Sequence, residues 1–152
     1  MTRRTEGNYM ATIRRTATAQ WRGAGRDGNG TLSTQSGTLS DTPYSFTTRF
    51  GDGKGTNPEE LIAAAHAGCF SMALAFQLAG AGHAADSLHT DAKLTMEQEG
   101  AGWRIAAVAL TLRGKVPGID ADTFKRLAEE AKANCPVSQV LNAEITLDAT
   151  LE

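Results

Sequence analysis

The segment Asn57-Pro58-Glu59-Glu60-Leu61-Ile62-Ala63-Ala64-Ala65-His66-Ala67-Gly68-Cys69-Phe70 decides how this chain is read. It carries the marks of a helix start. Asn57 suits the N-cap, where its side chain can accept from a free first-turn amide. Pro58 suits the first helical position, which needs no N–H. Glu59 and Glu60 stand where the positive end of the helix dipole favours carboxylates. Over residues 61–85 there is no formal charge, and most side chains are Ala, Leu, Phe or Met. A helix apolar all round belongs inside something. The spacing predicts that it runs to about Ala79 and stops at the glycines 80 and 82. In its middle sits a thiol, Cys69, and a lone buried thiol is most often inert packing.

Upstream, the pattern predicts strands. Thr16-Ala17-Thr18-Ala19-Gln20-Trp21 reads as the first. Residues 23–30 read as a turn, with Asn29-Gly30 as a hairpin signal. Their glycine spacing fits no phosphate-binding loop. A second strand is expected over residues 31–36 and a third over 44–50. In the third, Tyr44, Phe46, Thr48 and Phe50 would share one face and Thr47 and Arg49 the other.

Downstream, residues 88–98 and 102–114 read as two strands joined by a turn. Asp120 opens a helix, with Thr123 as an alternative cap, and its apolar stripe is Phe124, Leu127, Ala128 and Ala131. It ends at Asn134-Cys135-Pro136, because the residue before proline disfavours the α region. Pro136 starts a short helix to Leu141, and residues 145–151 close the chain as an alternating strand. The order is βββ-α-ββ-αα-β, an α+β fold. A helix apolar on every side needs more cover than one half-sheet supplies. The economical solution is a second copy, so an obligate homodimer is expected.

At 152 residues the chain is long enough for one domain with a sizeable core. Residues 16–152 are expected to form it, behind a mobile basic extension over residues 1–15 (Arg3, Arg4, Arg14, Arg15). The net charge of −2 gives no reason to expect nucleic acid as a partner. No apolar run follows Met1-Thr2-Arg3-Arg4, so no signal peptide is expected. The uncharged run could span a bilayer by length. It is nevertheless read as a core helix, because His66, Ser71 and Gln77 interrupt it and aromatic flanks are missing. The expected compartment is the reducing cytosol, where two thiols point to catalysis rather than to a lasting disulfide.

Cys135 precedes Pro136 at a helix start, where amides and dipole lower a thiol pKa. Taken alone, that nominates Cys135 as nucleophile. Cys69 lies too far along its own helix for the dipole to reach it. Burial should raise its pKa, so its reactivity calls for a fixed cation. Arg49 is the candidate cation, since guanidinium stays charged when buried, and Glu59 is the candidate acid to orient it. On one continuous helix Glu59 and Cys69 differ by about 80° in direction and about 15 Å along the axis. They can meet one arginine only if the helix is broken or the two come from different chains. The expectation is a site shared across the dimer.

The segments 57–61, Ala65-His66-Ala67-Gly68-Cys69-Phe70-Ser71-Met72-Ala73-Leu74, Cys135-Pro136-Val137-Ser138-Gln139-Val140-Leu141 and Glu144-Ile145-Thr146-Leu147 resemble the OsmC/Ohr family of thiol peroxidases, its OsmC branch most closely. The likeness extends over residues 16–152, including 43–50 and 116–120. It implies an intertwined homodimer, with sheets from both chains wrapped around two crossing central helices. It implies reduction of hydroperoxides, organic ones above all, to alcohols. By the resemblance Cys69 is the peroxidatic thiolate, Cys135 the resolving thiol, and Arg49 with Glu59 the activating pair. Arg26, in its Gly-Arg-Asp-Gly turn, resembles the place where the Ohr branch carries its arginine. No metal, flavin or haem is implied; the reductant is an external dithiol, dihydrolipoyl in the Ohr branch. Phe46, Phe50, Phe70 and Phe76 suggest an apolar lining for bulky peroxides.

Two rival readings are weaker. A metal site would have only His66, Cys69 and Cys135, with no paired motif. His66 reads instead as a satisfied polar group at the helix contact. A non-enzymatic ligand-binding or structural dimer would work without its thiols.

Overall fold

The computed structural model describes residues 11–152; Arg3, Arg4 and the rest of the expected extension up to residue 10 lie outside the described residues. The chain divides into two compact units, one ending at Asn57 and one spanning residues 58–152.

The first unit is an antiparallel sheet in the order β1-β2-β3: β1 (Ala17–Arg22), β2 (Asn29–Thr34) and β3 (Thr42–Ser45). Asn29-Gly30 is not the hairpin turn that the dipeptide suggests. The turn lies earlier and is closed by the Gly28 amide donating to the Ala24 carbonyl at 2.7 Å. Asn29 and Gly30 already pair with Arg22 and Trp21. Gly30 is needed there for space: a Cβ would come within 2.6 Å of the Trp21 ring and 2.7 Å of the Tyr44 ring. Those rings close over it with centroids 5.3 Å apart.

The third strand is also shorter than expected. β3 ends at Ser45, and α1 (Phe46–Phe50) follows as a single helical turn. Ser45 and Thr48 form a reciprocal capping box, with the Ser45 amide donating to Thr48 Oγ1 at 2.8 Å. The box satisfies the amides that a strand would have paired, so the alternating aromatics are overruled locally. Phe46 and Phe50 do not alternate along a strand; their rings meet at a tilt one helical turn apart, with centroids 5.0 Å apart.

The second unit starts with α2 (Pro58–Gly80), a continuous 23-residue helix. It is followed by β4 (Ser87–Glu99), β5 (Gly102–Lys115), α3 (Ala121–Asn134), α4 (Pro136–Val140) and β6 (Glu144–Leu151). β4 and β5 are an antiparallel hairpin, and β6 returns parallel to β5 after the α3–α4 crossover. Asp120 caps α3 as expected, accepting from the Thr123 amide at 2.8 Å. Phe124, Leu127, Ala128 and Ala131 are the buried stripe of α3. They pack with Val108, Leu110 and Leu112, which alternate along β5 and so share one face of the sheet. Gly114 continues that face; a Cβ on it would lie 2.7 Å from the Phe124 ring.

α2 supplies His66, Phe70, Leu74 and Leu78 to this core, one residue per turn. The stripe explains how the helix is held, but it leaves the opposite face open. Ala64, Ala65, Gly68, Met72, Ala75 and Phe76 are exposed in the single chain. α2 is long and apolar enough to cross a membrane by length and composition. In the single chain it packs against α3 and β4 through that one stripe, and the core-helix reading depends on what covers the rest of its surface.

Candidate active site

Two thiols meet where α2 passes the joint between α3 and α4. Cys135 caps the end of α3 and opens α4, with the extended ψ of 125° expected before a proline. That bend turns its side chain into the core, where it is fully buried. The Cys135 and Cys69 sulfurs lie 2.8 Å apart in a thiol–thiol hydrogen bond, and both are free thiols. A disulfide would require the sulfurs to close by only about 0.8 Å more.

The environment of Cys69 works mostly against its thiolate. Burial pushes the thiol pKa up, and the neighbouring Cys135 adds to this. The backbone amide of Val137 acts in the opposite direction, favouring the charged form. This revises the dipole argument. Cys69 is indeed too far along its own helix, but the first turn of α4 turns an amide toward it. Cys135 sits at the same helix start without making a side-chain cap hydrogen bond.

One turn from the thiol pair, His66 Nε2 and Ser138 Oγ are hydrogen-bonded at 2.7 Å. His66 is fully buried, and burial lowers its pKa, so it is neutral at physiological pH. It is thus half satisfied: Nδ1 is buried with no partner among the described residues. Ser71 ties the same helix to β4 through Thr90 at 2.7 Å.

Glu59 is in the first turn of α2. Because α2 is unbroken, Glu59 lies about 15 Å from Cys69 along its own helix, and the broken-helix alternative is closed. Arg49 is in α1, in the first unit. There it lines a cleft of about 510 Å³ together with Trp21, Arg26, Tyr44, Phe46 and Phe50. The Arg26 guanidinium carbon lies 4.5 Å from the Phe46 ring centroid and that of Arg49 lies 5.3 Å from the Phe50 centroid. Both candidate arginines therefore face one aromatic cleft. Phe46 and Phe50 line this cleft, Phe70 is fully buried in the core of the other unit, and Phe76 is exposed on α2. Among the described residues no group of three or more His, Cys, Asp or Glu could hold a metal ion.

Residues 51–150 match the family model described as OsmC-like protein. The chain belongs to the OsmC-like family. It is 52% identical to the Peroxiredoxin OsmC of Escherichia coli over 141 residues, covering 93% of this chain and 99% of that one. It is 31% identical to the Organic hydroperoxide resistance protein of Xanthomonas axonopodis pv. citri over 102 residues, covering 65% and 68%. In three dimensions it resembles an organic hydroperoxide resistance protein from Elizabethkingia anophelis, with a TM-score of 0.66 at 27% identity, covering 94% of this chain and 100% of that one.

The His66–Ser138 tie and the Val137 amide were not read from the sequence as parts of a site. A signal for the first existed: His66 precedes Cys69 by three residues, and Ser138 follows Cys135 by three.

Proposed function

We propose that this OsmC-like chain is a cysteine-based peroxidase that reduces organic hydroperoxides, and hydrogen peroxide more weakly, to alcohols. The observation that carries the reading is the pair of free thiols 2.8 Å apart, in a chain 52% identical to a protein named as a peroxiredoxin. In the first step the Cys69 thiolate attacks the distal peroxide oxygen. An S–O bond forms, the O–O bond breaks, and alkoxide leaves to take up a proton as alcohol. The resulting Cys69 sulfenic acid condenses with the Cys135 thiol. The disulfide forms, and the sulfenic oxygen departs as water with the thiol proton. An external dithiol, of the dihydrolipoyl kind, then reduces the disulfide by exchange and is itself oxidised to a disulfide. The chain's residues require no bound cofactor for these steps.

Arg49 is the activating cation in this reading, with Glu59 orienting it. A cation is needed because burial raises the Cys69 pKa more than one amide can offset. The unbroken α2 supports the view that Glu59 and Cys69 of one site come from different copies of the chain. The apolar stripe of Gly68, Met72 and Phe76 supports a homodimer joined along α2, since a lone chain leaves these side chains in water. Residues 16–152 of each copy act as one OsmC-like domain, working in the cytoplasm.

The test is to mix reduced protein with cumene hydroperoxide and count free thiols. Wild type should form an intramolecular disulfide, Cys69→Ser should consume no peroxide, and Cys135→Ser should accumulate a sulfenic acid that dimedone captures. Peroxide loss by Cys69→Ser at the wild-type rate would end the proposal.

A further inference from the structure

We propose that His66 and Ser138 are positioning residues for disulfide formation, holding Cys135 against Cys69. This rests on the peroxidase reading for its role, though not for its geometry. His66 and Cys69 lie one turn apart on the same side of α2. Ser138 and Cys135 bracket the first turn of α4. The two contacts, 2.7 Å for imidazole to hydroxyl and 2.8 Å for sulfur to sulfur, are therefore neighbouring rungs between the same two elements. The elements run in opposite senses, His66 facing Ser138 and Cys69 facing Cys135. One rung carries the chemistry. The other takes no part in it and stays closed while sulfur chemistry proceeds.

α4 needs such a rung. It has five residues, too few to keep its own shape by backbone hydrogen bonding. Pro136, Gln139 and Val140 face solvent, so only part of its surface is held by packing. Val137 and Leu141 pack on the core, which fixes the depth of α4. The His66–Ser138 bond lies directly beside the cysteines and fixes its position along α2.

His66 suits the task because it is fully buried and neutral. With no acceptor at Nδ1 among the described residues, its proton belongs on Nε2, donating to Ser138 Oγ. An imidazolium would leave a buried N–H without a partner, which a fold resists. The burial of one unsatisfied nitrogen is a cost that a purely structural core would avoid with an apolar residue.

The cost of losing the rung follows from the geometry. The sulfurs start about 0.8 Å beyond bonding distance. Misplacement by about 1 Å can slow a preorganised step by about 10²-fold. Partial loss of register on removing one hydroxyl should therefore cost about tenfold.

Two measurements on Ser138→Ala, Ser138→Thr and His66→Gln test this. In the first, each protein is equilibrated with glutathione redox buffers and the Cys69–Cys135 disulfide is quantified. Ser138→Ala and His66→Gln should favour the dithiol about tenfold, a potential about 30 mV less negative, and Ser138→Thr should return to within threefold of wild type. In the second, stopped-flow mixing with cumene hydroperoxide separates sulfenic acid formation from condensation. Sulfenic acid formation should stay within about twofold in all variants, and condensation should slow about tenfold in Ser138→Ala. A general loss of packing would slow both steps, or neither, and would not be rescued by threonine; either result overturns the proposal. So does a Ser138→Ala potential within twofold of wild type in the equilibrium constant. If wild type consumes no peroxide while Ser138→Ala still shifts the potential, the peroxidase reading fails and the positioning stands.

Discussion

Phe76→Ala tests the proposed homodimer at its most exposed apolar side chain on α2. Phe76 is 71% exposed in the single chain and Met72 63%. Burying a phenylalanine completely is worth about 1.5–3 kcal/mol, so covering the exposed part of Phe76 is worth about 1–2 kcal/mol. A symmetric dimer contains the residue twice, which gives about 2–4 kcal/mol per dimer. The dissociation constant should rise about 30- to 700-fold. Alanine is the best helix former, and Phe76 contributes nothing to its own subunit's core, so each subunit should keep its fold. Sedimentation over a dilution series gives the constant, and circular dichroism checks the fold. If the site is shared between copies through Arg49 and Glu59, specific activity should follow the dimer fraction as protein is diluted. A dissociation constant within threefold of wild type, with the helix content unchanged, would refute the placing of the interface on this face. Wild type sedimenting as a monomer at every concentration would refute the dimer itself.

Arg49→Ala should lower the rate constant for peroxide attack by about 10²–10³-fold, while Arg26→Ala costs less than about tenfold. In Arg49→Ala the pH midpoint of that rate should also move up, because burial pushes the Cys69 thiol up and no guanidinium offsets it. The larger loss in Arg26→Ala would transfer the role to that residue. A further expectation concerns acid. The folded pKa of His66 lies below its unfolded value of about 6.5, so in that range the unfolded chain binds more protons. Its contribution is present above about pH 6.5 and is lost as pH falls toward the folded pKa, by at most about 1.4 kcal/mol per pH unit. Denaturant unfolding of wild type and His66→Gln between about pH 5 and 8 should show this slope in wild type and lose it in the variant. The Asp120 carboxylate, lowered by its bonds to Thr123, acts in a separate window below the ordinary aspartate range. Equal slopes in the two proteins would show that His66 titrates alike in the folded and unfolded chain.

Local signals in the sequence were accurate where structure is locally determined. Pro58 does open α2, Asp120 does cap α3, and Pro136 does open α4. Each rests on hydrogen bonds or sterics within one turn of chain. Errors came where two local signals competed. Aromatic alternation over residues 44–50 suggested a strand, and the Ser45–Thr48 capping box made the second half helical. Asn29-Gly30 had the look of a hairpin turn, but the chain had already reversed at residues 23–28. The candidate residues were legible as types. Both thiols stand out by their settings, and burial does raise the Cys69 pKa as an apolar helix implies.

By itself the sequence determined the element order apart from the short helix α1, the long uncharged helix and the presence of two thiols in distinctive settings. It did so because caps, periodicity and proline geometry act over a few residues. Only the tertiary structure decided that Cys69 and Cys135, 66 positions apart, come within 2.8 Å, and that an amide of α4 faces the first while His66 grips Ser138 beside them. Those distances depend on how α3 and α4 cross back over α2, which is fixed by packing among Phe70, Phe124 and the β5 face rather than by any one stretch of chain.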